Sequence, residues 1–213
     1  MNLDINCDMG ESYGDVTIGN DAAIMPYISS ANSACGFHGG DPVTILKTIE
    51  LALKHSVAIG AHPGYRDLVN FGRTPMTLNS SELRSSIMYQ VGALKSMAES
   101  LGGRISHVKP HGAMYNTAAS DLEMSRVIVG AVKEIDNSLF IYCMSGSKME
   151  EAANEAGIRC VCEAFADRAY NEDGSLVSRS NPGAVIYDIE SIIERVLLMV
   201  AEGVIESVSG KIV

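Results

Sequence analysis

The sequence predicts an α/β protein built as a β/α (TIM-like) barrel, and two observations point there. Apolar periodicity switches between strand-like and helix-like segments along the 213 residues. The strand-like segments are also two-faced: Asp4, Asn6 and Asp8 fall on one side of the first, Leu3, Ile5 and Cys7 on the other. A repeating strand–helix order calls for a parallel sheet. An open, doubly wound sheet wants both faces apolar, whereas a barrel with its helices outside can keep a polar interior.

Predicted strands cover residues 3–7, 28–34, 57–61, 105–108, 139–143 and 159–165, with 184–187 as a weaker seventh. Helix starts are marked between them. Asp41 precedes Pro42, a capping carboxylate ahead of a proline at the first helical position, and 43–55 follows. Asn79 with Glu82, and Ser120 with Glu123, have capping-box spacing before helices at 83–101 and 122–135. The last helix, 190–202, stops at Gly203. The whole of 1–213 reads as a single β/α-barrel domain. The loop 169–183, rich in Asn, Asp, Gly, Ser and Pro, is long enough to suspect a lid.

Sixteen basic against 26 acidic side chains give a net charge of −10. That argues against nucleic acid or an anionic membrane surface as partner and leaves a small-molecule substrate. No charged and apolar leader opens the chain, and no apolar run reaches the roughly 18 residues a membrane span needs, so the expected location is cytoplasmic. Cys7, Cys35, Cys143, Cys160 and Cys162 lack CxxC spacing and read as small buried hydrophobes in a reducing compartment.

Chemistry-bearing residues gather where strands end. The first strand runs into Asn6, Asp8 and Glu11; the second into Asn32 and then His38; the third into His62; the fourth into Lys109 and His111; the sixth into Asp167 and Arg168. In a β/α barrel those ends share one mouth, where active sites lie. Asp8, His38 and His62 are a candidate set for a divalent metal, and equally candidates for acid–base work without an ion. Lys109 points inward by alternation, to hold an anion or to pair with Asp4, Asp8 or Glu163. Arg73, in the loop after the third strand, could clamp an anion or simply be solvated. His107 lies deeper and reads as a satisfied core histidine. Neither a phosphate-loop lysine nor a GxGxxG is present, so nucleotide binding is not legible here.

Five segments carry a family resemblance: 6–11 (NCDMGE), 32–41 (NSACGFHGGD), 60–65 (GAHPGY), 108–116 (VKPHGAMYN) and 164–168 (AFADR), with YQVGAL at 89–94. In this order they resemble the LamB/YcsF family. The resemblance implies a seven-stranded barrel of the glycoside hydrolase/deacetylase type and the A component of 5-oxoprolinase. That enzyme opens 5-oxo-L-proline to L-glutamate with ATP hydrolysis, with subunits B and C as partners. It suggests Asp8, His62, Lys109 and His111 as catalytic residues, and Asn6, Glu11, Asn32, Arg73, Asp167 and Arg168 as substrate-binding. Two departures stand out. Thr74 replaces the second arginine of a GFGRR run, and the sequence stops before a final family strand bearing Cys-Val-His-Gly-Asp, so either it is truncated there or this member lacks the last strand–helix unit of the barrel. The competing readings are a metal-dependent deacetylase or amidohydrolase that needs no ATP, and a non-catalytic ligand-binding subunit.

Overall fold

The computed structural model describes residues 3–213; Met1 and Asn2, where the reading of the N-terminus for a leader begins, lie outside the described residues. In chain order the elements are β1 (Asn6–Met9), α1 (Asp21–Ile24) with a 3-10 turn at Met25–Tyr27, β2 (Ser30–Ala34), α2 (Pro42–His55), β3 (Ala58–His62), α3 (Ser80–Ser100) and β4 (Ile105–Val108). Then follow α4 (Gly112–Ser120), α5 (Leu122–Ile135), β5 (Phe140–Met144), α6 (Lys148–Ala156), β6 (Cys160–Glu163) and α7 (Ile189–Glu202). The chain divides into two compact units, Met1–Val161 and Cys162–Val213. No helix is long and apolar enough to cross a membrane.

The six strands form one sheet in the order β1-β2-β3-β4-β5-β6, and the pairings from β1 to β5 are parallel throughout. The sheet is curled, and two side chains prove it. The Tyr142 hydroxyl on β5 donates to the carboxylate of Asp4, just before β1. Four strand steps on a flat sheet would hold them about 19 Å apart. Only a sheet bent towards a barrel brings its first and fifth strands within one hydrogen bond.

Outside the curl, Ile49 of α2, Ile87 and Leu94 of α3, Met114 of α4 and Ile128 of α5 are fully buried with Ile59 and Ile141 of the sheet. The helix starts follow their capping chemistry. Asp41 accepts from the Thr44 amide with Pro42 in the first turn, and Asn79 and Glu82 form a reciprocal capping box. Gly203 ends α7 in the left-handed conformation.

The structure corrects several expectations. The first strand begins at Asn6, whose partner Ser30 is the residue with which β2 starts. Helix α5 is capped by Asp121, not Ser120: the Asp121 carboxylate accepts from Met124, and Ser120 closes α4, a helix the periodicity does not reveal. Residues 184–187 do not add a seventh strand. They turn back on 167–169 through an antiparallel bridge between Arg168 and Val185, with Ile186 donating to the Asp167 carbonyl, so they cannot extend a parallel sheet. Cys143 and Cys160, on neighbouring strands, are joined by a disulfide, Cys162 is exposed and Cys7 is half-buried, so among the five only Cys35 fits the small buried thiol expected.

Candidate active site

The inward face of the first unit holds a connected polar floor. Register places Asp8 of β1 beside Asn32 of β2. The Asn32 amide donates to Asn6 Oδ1 at 2.7 Å and to Asp8 Oδ1 at 2.9 Å, while its own oxygen lies 2.7 Å from His107 Nε2. Lys109, from the end of β4, reaches Asn6 Oδ1 at 3.1 Å and Asp8 Oδ1 at 3.3 Å. Asn32, His107 and Lys109 are buried, whereas Asp8 keeps 37% of its side chain exposed. The carboxylate is therefore held from below and open from above.

Above Asp8 lies a histidine cluster. His62, the last residue of β3, places Nε2 3.3 Å from Asp8 Oδ2 and 3.0 Å from His111 Nδ1. His38, from the glycine-rich loop after β2, stacks on His111 with ring centroids 3.7 Å apart and planes 3° from parallel. Glu11 Oε1 lies 3.4 Å from His38 Nε2 and 3.7 Å from His111 Nδ1. All four residues can offer one ligand atom within 4.8 Å of the others, a donor set able to hold a metal ion. Asp8, which the sequence groups with His38 and His62 as a metal ligand, is not among these four; it lies beside them, 3.3 Å from His62 Nε2 and 3.3 Å from Lys109 Nζ.

The loop before α3 closes over the rings. Asp67 accepts from the amide and side chain of Asn70, and the chain then turns through Phe71 and Gly72 at φ +57° and +62°. A left-handed conformation is costly for a bulky side chain such as Phe71 and marks a place where strain serves geometry. Here it aims the Phe71 carbonyl at His111 Nε2, 2.8 Å away, and sets the Phe71 ring edge-on to both His38 and His111. At Gly72 a Cβ would fall 2.7 Å from His38 Cβ and 3.0 Å from His111 Cδ2. Arg73 then lies over the Phe71 ring, 4.9 Å from its centroid.

Electrostatics separates these groups. Burial would raise the Asp8 carboxyl, but the charges of His62 and Lys109 prevail and hold it well below the ordinary range. Burial alone would neutralise His62, yet Asp8 raises it above its usual value. Each of these two groups therefore favours the charged form of the other. Burial pushes His111 down to about 3, and His38 is lowered by burial and by its two histidine neighbours. Burial pushes Glu11 up to about 7. A carboxyl near neutrality beside an ionised carboxylate is the division of labour that acid–base sites use.

Asn6, Asp8, Glu11, Asn32, His38, His62, Lys109 and His111 thus come together within the first unit. Asp167 and Arg168 belong to the second. Asp167 is exposed; the buried Arg168 guanidinium donates to the carbonyls of Val177 and Ala184, holding its own loop together. Sequence reasoning misses three contributors. His107 reads as a core residue but orients Asn32. Gln90 of α3 clamps Gly64 at both amide and carbonyl, each at 3.0 Å. The third is the Phe71 carbonyl, which no residue letter could signal.

A curled six-stranded parallel sheet with carboxylate, lysine and histidine side chains gathered at its strand ends defines a half-barrel α/β protein. Within that class, the chain belongs to the LamB/YcsF family, whose profile matches residues 3–213. The 5-oxoprolinase A subunit of Syntrophobacter fumaroxidans is 49% identical over 211 residues, which cover 99% of this chain and 83% of that one. Its namesake in Pyrococcus furiosus is 47% identical over the same length, again covering 99% and 83%. The crystal structure of a lactam utilization protein from Thermus thermophilus superposes with a TM-score of 0.95 at 48% identity, covering 100% of this chain and 86% of that one.

Proposed function

We propose that this chain is the A component of an ATP-dependent 5-oxoprolinase and carries residues that open the lactam ring. The observation that carries this reading is its near-half identity, over almost its full length, to proteins named as the A component of that enzyme. The strand-end site supports it in chemical terms.

A lactam amide is a poor electrophile. Transfer of the ATP γ-phosphoryl group to its oxygen, with loss of ADP, makes the ring carbon reactive. One water then adds and the C–N bond breaks to release the amine and leave an acyl phosphate. A second water gives the carboxylate and inorganic phosphate. This sequence needs a base for water and cations for phosphate and carboxylate. Asp8 serves as the base, held in place by His62, with His111 beside them. The Lys109 ammonium, at the floor, balances negative charge on the phosphorylated ring. Arg73 at the rim receives the substrate carboxylate, and Asn6, Asn32 and Glu11 supply hydrogen bonds. ATP is required by the complex, and subunits B and C are the partners that complete it.

The test is glutamate release from 5-oxo-L-proline and ATP by this chain mixed with subunits B and C, each omitted in turn. Release that needs all three supports the reading. No release, together with ATP-independent hydrolysis of acetylated sugars by the chain alone, would replace it with the deacetylase reading, which the histidine cluster also suits.

A further inference from the structure

We infer that Glu11, His38, His62 and His111 form a binding site for one zinc-type divalent cation, with His62, His111 and Glu11 as fixed ligands and His38 as a movable fourth. Backbone acceptors fix where the ring protons lie. His62 Nδ1 is 2.5 Å from the Lys109 carbonyl, and His111 Nε2 is 2.8 Å from the Phe71 carbonyl. A carbonyl only accepts, so both of these outer nitrogens carry the N–H. In the neutral rings His62 Nε2 and His111 Nδ1 are therefore bare, and these lone pairs face each other at 3.0 Å. Two bare nitrogens at that distance repel unless a cation sits between them, either a metal ion or the proton that His62 takes when it pairs with Asp8. Anchoring the far N–H of an imidazole on a backbone carbonyl is how proteins orient histidine ligands.

A second, independent observation points the same way. Both ring nitrogens of His38 and Oε1 of Glu11 are buried and make no hydrogen bond among the described residues. His38 is wholly buried, and a polar group in that position is costly without a partner. Its orphaned Nε2 and the orphaned Glu11 oxygen are 3.4 Å apart, and Glu11 Oε1 is 3.7 Å from the bare His111 nitrogen. Tetrahedral zinc with arms of about 2.0–2.1 Å needs ligand–ligand edges of about 3.3 Å. Between the three fixed ligands, the His62–His111 and Glu11–His111 separations of 3.0 and 3.7 Å straddle that value.

Ring orientation divides the ligands. The His62 and His111 planes are 90° apart, so one ion can lie in both planes at once. His38 is parallel to His111 and stacked on it, so no ion can lie in both of those planes. His38 must turn to ligate, and among the described residues no hydrogen bond holds either of its nitrogens. Three nitrogen donors and one carboxylate select Zn²⁺, Co²⁺ or Ni²⁺ over Mg²⁺ and Ca²⁺, which prefer all-oxygen shells. Cation binding here does not depend on which substrate the enzyme turns over.

The experiment is a calorimetric titration of the chelator-stripped chain with Zn²⁺ and with Mg²⁺, paired with the visible spectrum after Co²⁺ addition. One Zn²⁺ per chain, no Mg²⁺ uptake and an intense tetrahedral Co²⁺ band are expected. The near-isosteric Glu11→Gln should weaken Zn²⁺ at least about tenfold, the lower limit seen when even supporting groups of a metal site are removed. His111→Gln should weaken it further, with circular dichroism confirming the fold. Asp8→Asn removes a carboxylate outside the set and should shift affinity less than Glu11→Gln does. Absence of a stoichiometric site, binding indifferent to Glu11→Gln, or a larger loss in Asp8→Asn would each overturn the assignment.

Discussion

His107 occupies the space that a side chain at Gly60 would need: a Cβ there would fall 1.9 Å from His107 Nε2. Gly60 and His107 are also paired neighbours on β3 and β4. The small residue is thus what lets the imidazole lie across the sheet and reach Asn32, and through Asn32 reach Asp8. Gly60→Ala should destabilise the chain by about 1–3 kcal/mol, the usual cost of overpacking. Thermal melts should show a loss of about 2–4 °C per kcal/mol at this size. Adding His107→Ala should return much of that loss, because the clash is removed. Additive losses in the double variant would mean that the two positions do not meet.

The same histidine gives the fold a pH dependence with a definite sign. Burial pushes His107 from 6.5 down to about 3. Between those values the unfolded chain binds a proton that the folded chain refuses. The stability is fully present above pH 6.5 and is lost as pH falls towards 3, at up to about 1.4 kcal/mol per pH unit. Asp4 acts in a lower window. Burial would raise its carboxyl, but hydrogen bonds from Ser29, Tyr142 and Ser30 hold it below 3.8, so its contribution is lost only as pH falls beneath that value. Urea melts at about pH 6.5, 5.5 and 4.5 should show the gap between wild type and His107→Gln narrowing as pH falls. Parallel curves would rule out a neutral buried His107.

Gln90 ties α3 to the loop that follows His62. Its side chain satisfies both the amide and the carbonyl of Gly64, and Gly64 lies so close to His38 that a Cβ would fall 2.7 Å from Nδ1. Gln90→Leu keeps the bulk and orphans two buried backbone groups, at about 1–3 kcal/mol each. A lower melting temperature with helical content retained is the expected outcome. An unchanged melt would show that water replaces the amide.

Much of the site is readable from alternation and position. Asp8, His62 and His111 fall at strand ends on the inward side, and a period of two places them there without any knowledge of pairing. What alternation cannot give is anything set by neighbours across the sheet. The Asp8–Asn32 contact follows from register, and the Cys143–Cys160 disulfide from which strands lie side by side. Residues 184–187 have the apolar character of a strand, yet backbone partners at 167 and 169 claim them first. Helix α5 shows a competition between caps: Ser120 and Asp121 both qualify by chemistry, and Ser120 is taken up as the last residue of α4. Glu11 reads in sequence as a substrate contact. Its place among three histidines depends on how the loops after β1 and β2 meet, where the Gly40 amide donates to the Glu11 carbonyl.

If the lactam is opened at the Asp8 mouth, the most direct measurement is glutamate release by the complex with subunits B and C when this chain carries Asp8→Asn. That change keeps shape and removes the charge paired with His62 and Lys109. Turnover should fall by about 100-fold or more, the range for loss of a positioned general base, while the complex still assembles. Full turnover by an assembled Asp8→Asn complex would contradict the account and move the chemistry out of this mouth.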